Sequence, residues 1–484
     1  MSTNYRHGIY VSEQGSSMVA PVTGTAGLQV VIGTAPVHLL DKPEEAVNKP
    51  VLAQSYQEAV AALGYSADFE KYTICEAVSA SFQVLNVAPL VLINVLDPKK
   101  HSKSVEEIEV QVNDGLAAVE VPGILLGSLK VRNGETELTS GEDYTASFDQ
   151  NGMVNIAIIA GGKGDGATAL TVSGKALDPG MVTAADIVGG VDAETGAETG
   201  MEVIRQIYPK LGLVPGILLA PRFSADATVT AALQGKCHEI NGTFKSVCVV
   251  DVDSGEKGAR KYTDVKEQKE KQAISDACAY AVWPYAMVGE TVYSGSVLAA
   301  ARMAYTDAQN GDIPYTSPSN KGITMSGICL ADGTEVVLDQ DQANAINSYG
   351  VATFLNMNGY RLWGNNTAAY PGNTDPKDRF LSCRRYMNWR ANSFILTYFQ
   401  KVDDPMNRRL IEAVVDSENV RGNGYVAIGA AARDEIVFNE DENPTSALLD
   451  GRITFHQYMT PFTPAEDIED IIEFDPSALS SALG

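Results

Sequence analysis

Short apolar runs that alternate with helix-like stretches constrain the fold of this chain most. The runs LQVVIG (28–33), PLVLINV (89–95), GILLAP (216–221) and KSVCVVDVD (245–253) predict buried strands. Helices are predicted between them, over 55–63 with Gly64 as the stop, over 72–85 and over 225–240. Strands that alternate with helices of this length indicate a mostly parallel sheet with helices on both faces.

Three further helices are predicted in the same part of the chain, over 198–212, 263–283 and 296–311. The second would present a solvated lysine–glutamate face and end at Pro284. The third would begin at Ser294 or Ser296 and end at Gly311. Together with the runs above, they predict an α/β domain over 186–365.

The spacing of apolar residues along the chain changes between about residues 98 and 185. Ile108, Val110 and Val112 alternate with polar residues, which is typical of a half-buried strand. Asn-Gly pairs in VRNGE (131–135) and QNGMV (150–154) favour tight hairpin turns. No long helical pattern intervenes. The stretch therefore predicts an all-β module, a small sandwich.

Composition excludes several classes of protein. A length of 484 residues predicts two to four domains, and a net charge of −25 argues against a nucleic-acid-binding surface. The six cysteines show no C-x-x-C spacing, which favours buried thiols in a reducing cytoplasm. The uncharged stretch 77–96 is interrupted by polar residues and by Pro89, so it does not predict a membrane span. A soluble protein is expected.

The stretch GSSMVAP (15–21) matches the serine motif of subtilisin-like proteases, with Ser17 in the place of the nucleophile. His7 and Asp253 would be its partners. However, subtilisin triads run in the order Asp, His, Ser, and no strand–turn–helix holds Ser17 in position. We therefore expect no enzyme, and a subtilisin-type serine hydrolase using Ser17 stays as the alternative.

Metal and cofactor motifs are absent from the sequence. The glycine-rich GGKGDG (161–166) lacks the spacing of a phosphate-binding loop. Cys237 and His238 are adjacent, but neighbours on a helix point about 100° apart and rarely share a metal. No metal and no cofactor are predicted. The histidines, which show no H-x-x-H spacing, are His7, His38, His101, His238 and His456.

Both ends of the chain indicate assembly. No basic residue follows Arg452, whereas acidic residues accumulate. ITFHQYM (453–459) and IIEF (471–474) predict strands, and so does HGIYVSE (7–13), without an evident local partner. Such segments could complete the sheet of a neighbouring chain. The alternative is that they are ordinary terminal strands of the parent domain.

Several stretches resemble the tail sheath proteins of contractile phages and related contractile particles. They span nearly the whole chain in the family's order, and SPSN with the later RLWGNNT is the most specific pair. The stretches are GIYVSE (8–13), NKPVLAQSYQEAVAALGYS (48–66), IPYTSPSNKGI (313–323), GYRLWGNNTA (359–368), NSFILTYFQKVDDPMNRRLIEAVVDSEN (392–419) and ITFHQYMTPFTPAEDIEDIIEFDP (453–476).

This resemblance implies an α/β fold with a catalytically inert, subtilisin-like central domain, an inserted β-sandwich, an α+β C-terminal domain and extended arms at both ends. The expected layout is an N-terminal arm (1–21), an α/β segment (22–97), the β-sandwich (98–185), the subtilisin-like domain (186–365) and a C-terminal sheath domain (366–484) that ends in an arm from about 453. GSSMVAP lies outside the subtilisin-like domain.

The resemblance also implies a mechanical function. Subunits would stack as six-fold helical rings around an inner tube, contact baseplate and terminator proteins, and contract to drive the tube through a cell envelope. The particle would assemble in the bacterial cytoplasm, as part of a phage tail, a phage-like bacteriocin or a related injection machine. Strand exchange between subunits is expected at Gly8, Ile9, Tyr10 and Val11 and at Ile453, Phe455, Ile471, Ile472 and Phe474.

Overall fold

A computed structural model describes residues 25–483 and shows a mixed α/β fold with several sheets. The N-terminal arm, with Ser17, therefore lies outside the described residues. Ser55 caps the first helix, whose end at Gly64 confirms the prediction from the sequence. The elements up to residue 97 are β1 (Gln29–Gly33), β2 (Pro50–Ala53), α1 (Tyr56–Leu63), α2 (Thr73–Ser79, continued by a π turn over Ala80–Val84) and β3 (Leu90–Asn94).

The next segment is almost entirely β-structure. Its strands form two antiparallel sheets, in the orders β4-β10-β6-β7 and β5-β9-β8, and side chains of both sheets share one core that includes Val131, Val154 and Val172. The elements are β4 (Ser102–Gln111), β5 (Leu116–Val119), β6 (Lys130–Asn133), β7 (Thr136–Leu138), β8 (Tyr144–Phe148), β9 (Val154–Ile158), β10 (Ala169–Leu177) and α3 (Ala184–Val188).

The segment from residue 190 to 363 returns to alternating strands and helices. Its elements are β11 (Gly190–Val191), β12 (Glu198–Thr199), α4 (Ile207–Leu211), β13 (Ile217–Leu219), α5 (Ala227–His238), β14 (Val247–Asp251), α6 (Val265–Lys271), β15 (Ala279–Val282), β16 (Tyr285–Val288), β17 (Thr291–Tyr293), α7 (Gly295–Gln309), β18 (Lys321–Gly322), β19 (Gly327–Cys329), β20 (Glu335–Val336), α8 (Gln340–Ser348), β21 (Val351–Asn356) and β22 (Tyr360–Trp363).

A nine-stranded sheet in the order β18-β22-β21-β15-β14-β13-β1-β3-β2 forms the centre of the molecule. Its strands from β21 to β3 are parallel, whereas β2, β22 and β18 pair in the antiparallel sense. Every residue of β1, β3 and β14 is buried, as expected for strands covered on both faces. The segments 22–97 and 186–365 thus contribute to one sheet.

The predicted long helix over 263–283 is wrong beyond Lys271. α6 ends there, Ala273 adopts a positive φ of 52°, and Ala279–Val282 form the buried strand β15 between β14 and β21. Alanine favours helices, but burial between two parallel strands outweighs that local preference. The predicted helix over 198–212 is in fact a 3₁₀ segment (Gly200–Gln206) followed by the short α4.

Helices dominate the C-terminal segment. A buried ion pair between Arg385 and Asp307 attaches its long helix α10 to α7 beside the central sheet. Among residues 25–483, no helix has the length and apolar character needed to cross a membrane. The elements are α9 (Pro376–Arg379), α10 (Leu381–Tyr398), α11 (Arg408–Ala427), β23 (Ala431–Val437), α12 (Thr445–Leu449), β24 (His456–Pro461) and α13 (Pro476–Leu483).

His38 lies where the β-rich segment meets the central body. Its ring packs against Tyr72 of the body and against Phe148 of β8, with ring centroids 5.9 and 5.7 Å apart. The side chain is buried, and burial lowers the pKa of His38 to about 4 because it disfavours the charged ring. The contact therefore requires a neutral imidazole.

Acidification should weaken the fold through His38. Since its folded pKa lies below that of the unfolded chain, this contribution is complete above about pH 6.5 and is lost as the pH falls towards about 4. Between pH 7 and 4.5, we expect a loss of about 2 to 3 kcal/mol in the free energy of unfolding. Urea denaturation at both pH values checks this, and a His38→Leu variant with the same pH dependence as the wild type would contradict it.

Candidate assembly site at the C-terminal sheet

β23 and β24 form a two-stranded antiparallel sheet in which Asp434 lies opposite Met459 and Val437 opposite His456. Within residues 25–483, no third strand pairs with either edge of this sheet. A two-stranded pair is marginally stable in water by itself, so the sheet depends on the helices packed against it. The outer edge of β23 is partly closed by α11, because the side chain of Asn419 accepts from the backbone N–H of Ile436 at 2.8 Å and donates to its carbonyl oxygen at 3.0 Å. The outer edge of β24 is therefore the one that an added strand would use.

A buried ionic cluster holds this sheet to the helices. The guanidinium of Arg390 on α10 donates to Asp434 of β23, with its Nε 2.6 Å from Oδ2, and to Glu418 of α11 at 2.9 Å. Arg421 lies 3.1 Å from Glu418, so the cluster contains two cations, both arginines, and two anions. Burial opposes a charge on Arg390, but its hydrogen bonds to Asp434 raise the pKa of the guanidinium above its ordinary range.

Asp434 links further groups. Its carboxylate accepts hydrogen bonds from the hydroxyl of Tyr386 and from the side-chain amide of Gln457 on β24, both at 2.8 Å. The same carboxylate therefore connects α10 with both strands of the sheet. Each buried charge in this cluster has a partner, which is the condition under which such charges are tolerated.

Gly422 lets α11 approach β23 closely. A Cβ atom added at Gly422 would lie 1.9 Å from the carbonyl oxygen of Asp434, far inside van der Waals contact. Gly424, two residues further along the helix, has no atom within 4 Å of the same position. The two glycines thus differ in packing but share a helix.

This difference predicts opposite effects of alanine at the two positions. We expect Gly422→Ala to lower the free energy of unfolding by about 1 to 3 kcal/mol, because helix and strand must move apart. Gly424→Ala should raise it by about 0.5 to 1 kcal/mol through its helix preference. Urea denaturation of both variants measures the changes, and equal values for the two would disprove the close approach.

An apolar groove of about 700 Å³ lies beside the sheet. Tyr398 and Val414 line its floor, and Ile453 and Phe455 lie along one side. On its rim, the side chains of Phe399, Val402 and Leu449 are 71%, 65% and 82% exposed. Large apolar side chains exposed together in this way are typical of a contact surface.

The C-terminal residues predicted to exchange strands fall into two groups. Ile453 and Phe455 directly precede β24 and are half-buried in their own chain, where Phe455 packs against Tyr398, Val414 and Ile436. The predicted strand at 453–459 is observed slightly later, at His456–Pro461, and pairs with β23. Gly8, Ile9, Tyr10 and Val11 lie outside the described residues.

Ile471, Ile472 and Phe474 are 82%, 88% and 79% exposed. Residues 462–475, which we call the acidic tail, have no regular secondary structure, so the strand predicted at 471–474 is not formed within the single chain. The tail is tied to the body at its beginning, where Glu466 pairs with Arg379 and Cys383 Sγ lies 3.7 Å from the carbonyl oxygen of Phe462.

The residues of the hydrolase alternative do not form a site in the described part of the chain. Asp253 accepts a hydrogen bond from the backbone N–H of Gly255 at 2.8 Å, which closes a local turn. His7 and Ser17 lie outside the described residues. Inference from the sequence missed β23 and the ionic cluster, whose charged residues resemble an ordinary solvated surface in the sequence.

Comparison with known proteins gives relatives along nearly the whole chain, although no family model matches. The tail sheath protein of Burkholderia phage BcepMu is 28% identical over 489 aligned residues, covering 96% of this chain and 96% of that protein. The tail sheath protein of Escherichia phage P2 is 25% identical over 298 residues, covering 59% of this chain and 69% of that protein.

Solved structures share the fold at lower identity. A subunit from the six-fold symmetrised baseplate of the anti-feeding prophage has a TM-score of 0.57 and 14% identity, covering 98% of this chain and 100% of that one. A subunit of the contracted sheath complex of the extracellular contractile injection system PVC has a TM-score of 0.57 and 13% identity, covering 99% of this chain and 100% of that one. These likenesses concern the fold.

Proposed function

Because this chain belongs to the contractile tail sheath family, we propose that it is a structural sheath subunit that polymerises as stacked six-fold helical rings around an inner tube. Contraction of the polymer would drive the tube through the envelope of a target cell. The observation that carries the proposal is the combination, in one region, of a two-stranded sheet whose β24 edge pairs with no further strand in residues 25–483 and an acidic tail that exposes large apolar side chains.

Strand exchange between subunits is the proposed use of that region. A segment from a neighbouring chain would pair with the outer edge of β24 and satisfy its backbone groups. We propose that Gly8, Ile9, Tyr10 and Val11 supply one such segment, and that Ile471, Ile472 and Phe474 supply another. Ile453 and Phe455, which are anchored in the groove, would hold the base of the C-terminal arm.

Contraction would follow from rigid bodies joined by these arms. The central sheet, whose core is buried, would in this proposal move as one unit, and the tail, whose large apolar side chains are exposed, would follow the rotation. In this proposal, residues 186–365 form the inert subtilisin-like domain and 98–185 the inserted sandwich. Weaker contacts between the bodies would be exchanged for more extensive ones, with the joined arms keeping neighbours together.

The partners follow from the same proposal. The baseplate of the anti-feeding prophage and the sheath complex of the PVC system are assemblies of this kind in those particles. For this chain, we propose a homo-oligomer that contacts an inner tube, a baseplate and a tail terminator and is built in the bacterial cytoplasm. Its net charge of −25 means that copies repel one another unless their interfaces are complementary.

Negative-stain microscopy of the purified full chain tests the function. We expect hollow ridged tubes, and we expect a variant lacking residues 1–20 to remain folded without forming them. A Ser17→Ala variant is the matched control within the same segment and should assemble as the wild type does. Monomers under all salt conditions, or tubes from the truncated chain, would oppose the proposal.

A further inference from the structure

Three cysteines from separate parts of the sequence lie close together at the N-terminal ends of β14 and β15, two inner strands of the central sheet. Cys237 lies near the end of α5, Cys248 is the second residue of β14, and Cys278 directly precedes β15. Their sulfur atoms all lie within 4.8 Å of one another. The three residues are only 1%, 0% and 3% exposed. The fold thus gathers three soft ligand atoms at one point.

The spacing of the sulfur atoms suits a metal ion. A Zn²⁺ ion binds thiolate sulfur at about 2.3 Å, so two sulfur ligands in a tetrahedral site lie about 3.8 Å apart. Starting from separations of at most 4.8 Å, the three sulfur atoms would need to approach one another by no more than about 1 Å.

A polar pair, His238 and Asp276, lies beside the cluster. His238 Nε2 lies 3.9 Å from Cys278 Sγ and 2.7 Å from Asp276 Oδ2, and the histidine side chain is 59% exposed. The other oxygen of Asp276 accepts from the backbone N–H of Cys278 at 2.9 Å, which fixes the carboxylate beside the histidine. The nitrogen that faces Cys278 is the one that is hydrogen-bonded to Asp276, so His238 would bind a metal ion only after releasing this hydrogen bond.

We propose that Cys237, Cys248 and Cys278 are ligands of a Zn²⁺ ion and that His238 supplies the fourth ligand. Three thiolates and one imidazole form a closed ligand set of the structural type, without a position for a substrate. The ion would tie the end of α5 to the beginnings of β14 and β15, which are consecutive elements of the rigid body. The proposal does not depend on the function proposed above.

Sequence spacing does not reveal this site. Cys237 and His238 are neighbours on a helix, and the sequence therefore predicts that they do not share a metal. They lie at the end of α5, however, and the cluster is completed by residues that come from the next two strands. A nucleophilic role fits less well, because all three cysteines are buried, with exposures of 1%, 0% and 3%, and a substrate could not reach their sulfur atoms.

Titration of the reduced full chain with Co²⁺, followed by competition with Zn²⁺, tests the site. We expect one equivalent of Co²⁺ to produce a sulfur-to-cobalt charge-transfer band that Zn²⁺ abolishes. Cys278→Ser should weaken binding by more than about 100-fold, and His238→Gln by about 10-fold or more. Bound metal is counted independently by elemental analysis of the dialysed protein.

Cys75→Ser and Cys329→Ser are matched controls, since both remove buried thiols outside the cluster. These variants should retain the band and the stoichiometry of the wild type. A wild-type chain without the band would overturn the proposal, whether or not any variant folds. So would a band that persists in both Cys248→Ser and Cys278→Ser.

Discussion

Replacing Ile471, Ile472 and Phe474 together by serine should abolish tube assembly while leaving the fold of the monomer unchanged. These side chains are 82%, 88% and 79% exposed, so the single chain loses almost no packing with them. In the polymer, each would bury an apolar side chain worth about 1.5 to 3 kcal/mol. Losing all three should raise the concentration needed for assembly by more than about 1,000-fold.

A triple substitution of Val191, Val337 and Met357 by serine is the matched control. These side chains are 52%, 78% and 54% exposed and lie outside the acidic tail. Tubes and monomers are separated by sedimentation and checked by negative-stain microscopy, and urea denaturation confirms that both variants fold. If the tail variant forms tubes at the wild-type concentration, the acidic tail does not act in assembly.

Arg390→Met should destabilise the C-terminal region by about 3 to 5 kcal/mol. The substitution removes the cation that pairs with both Glu418 and Asp434, all of which are buried, and leaves Asp434 without a charged partner. Urea denaturation, followed by the fluorescence of the nearby Trp389, measures the effect. Because β23 and β24 depend on this cluster, tube assembly should fail as well.

Arg408→Met provides the comparison for a surface ion pair. Arg408 is 91% exposed and pairs with Glu412 one turn along α11, at 2.7 Å. Its loss should cost less than about 0.5 kcal/mol, since exposed pairs on helices contribute little. If the two arginine variants unfolded at the same urea concentration, the buried cluster would not support the sheet.

The parts of the fold that were predictable have strong local signals. β1, β3 and β14 are short apolar runs, and α1 is bounded by the capping residues Ser55 and Gly64. β15 was missed because Ala279–Val282 follow a helical pattern without a break in composition, and only burial between two strands decides their conformation. The conformational preference of a short stretch carries no information about which distant strands it will pair with.

The candidate assembly site was predictable only in part. The resemblance indicated the C-terminal arm, and the structure leaves Ile471, Ile472 and Phe474 exposed. By contrast, Arg390, Glu418 and Asp434 come from three separate elements, and no spacing in the sequence marks charges that will be buried together. These ion pairs form only once α10, α11 and β23 have packed together.

The strand order of the central sheet also determines when each part of the chain can fold during its synthesis on a ribosome. Gln29 of β1 pairs with Leu90 of β3 on one side and with Ile217 of β13 on the other, so this second edge of β1 must wait for a strand 188 residues downstream. At 5 to 20 residues per second, that delay is roughly 10 to 40 s. The acidic tail at 462–475 emerges later still, after every strand of the sheet has been made. The exposed apolar side chains that we propose for assembly at the C-terminal end are thus made only when the body can already be closed.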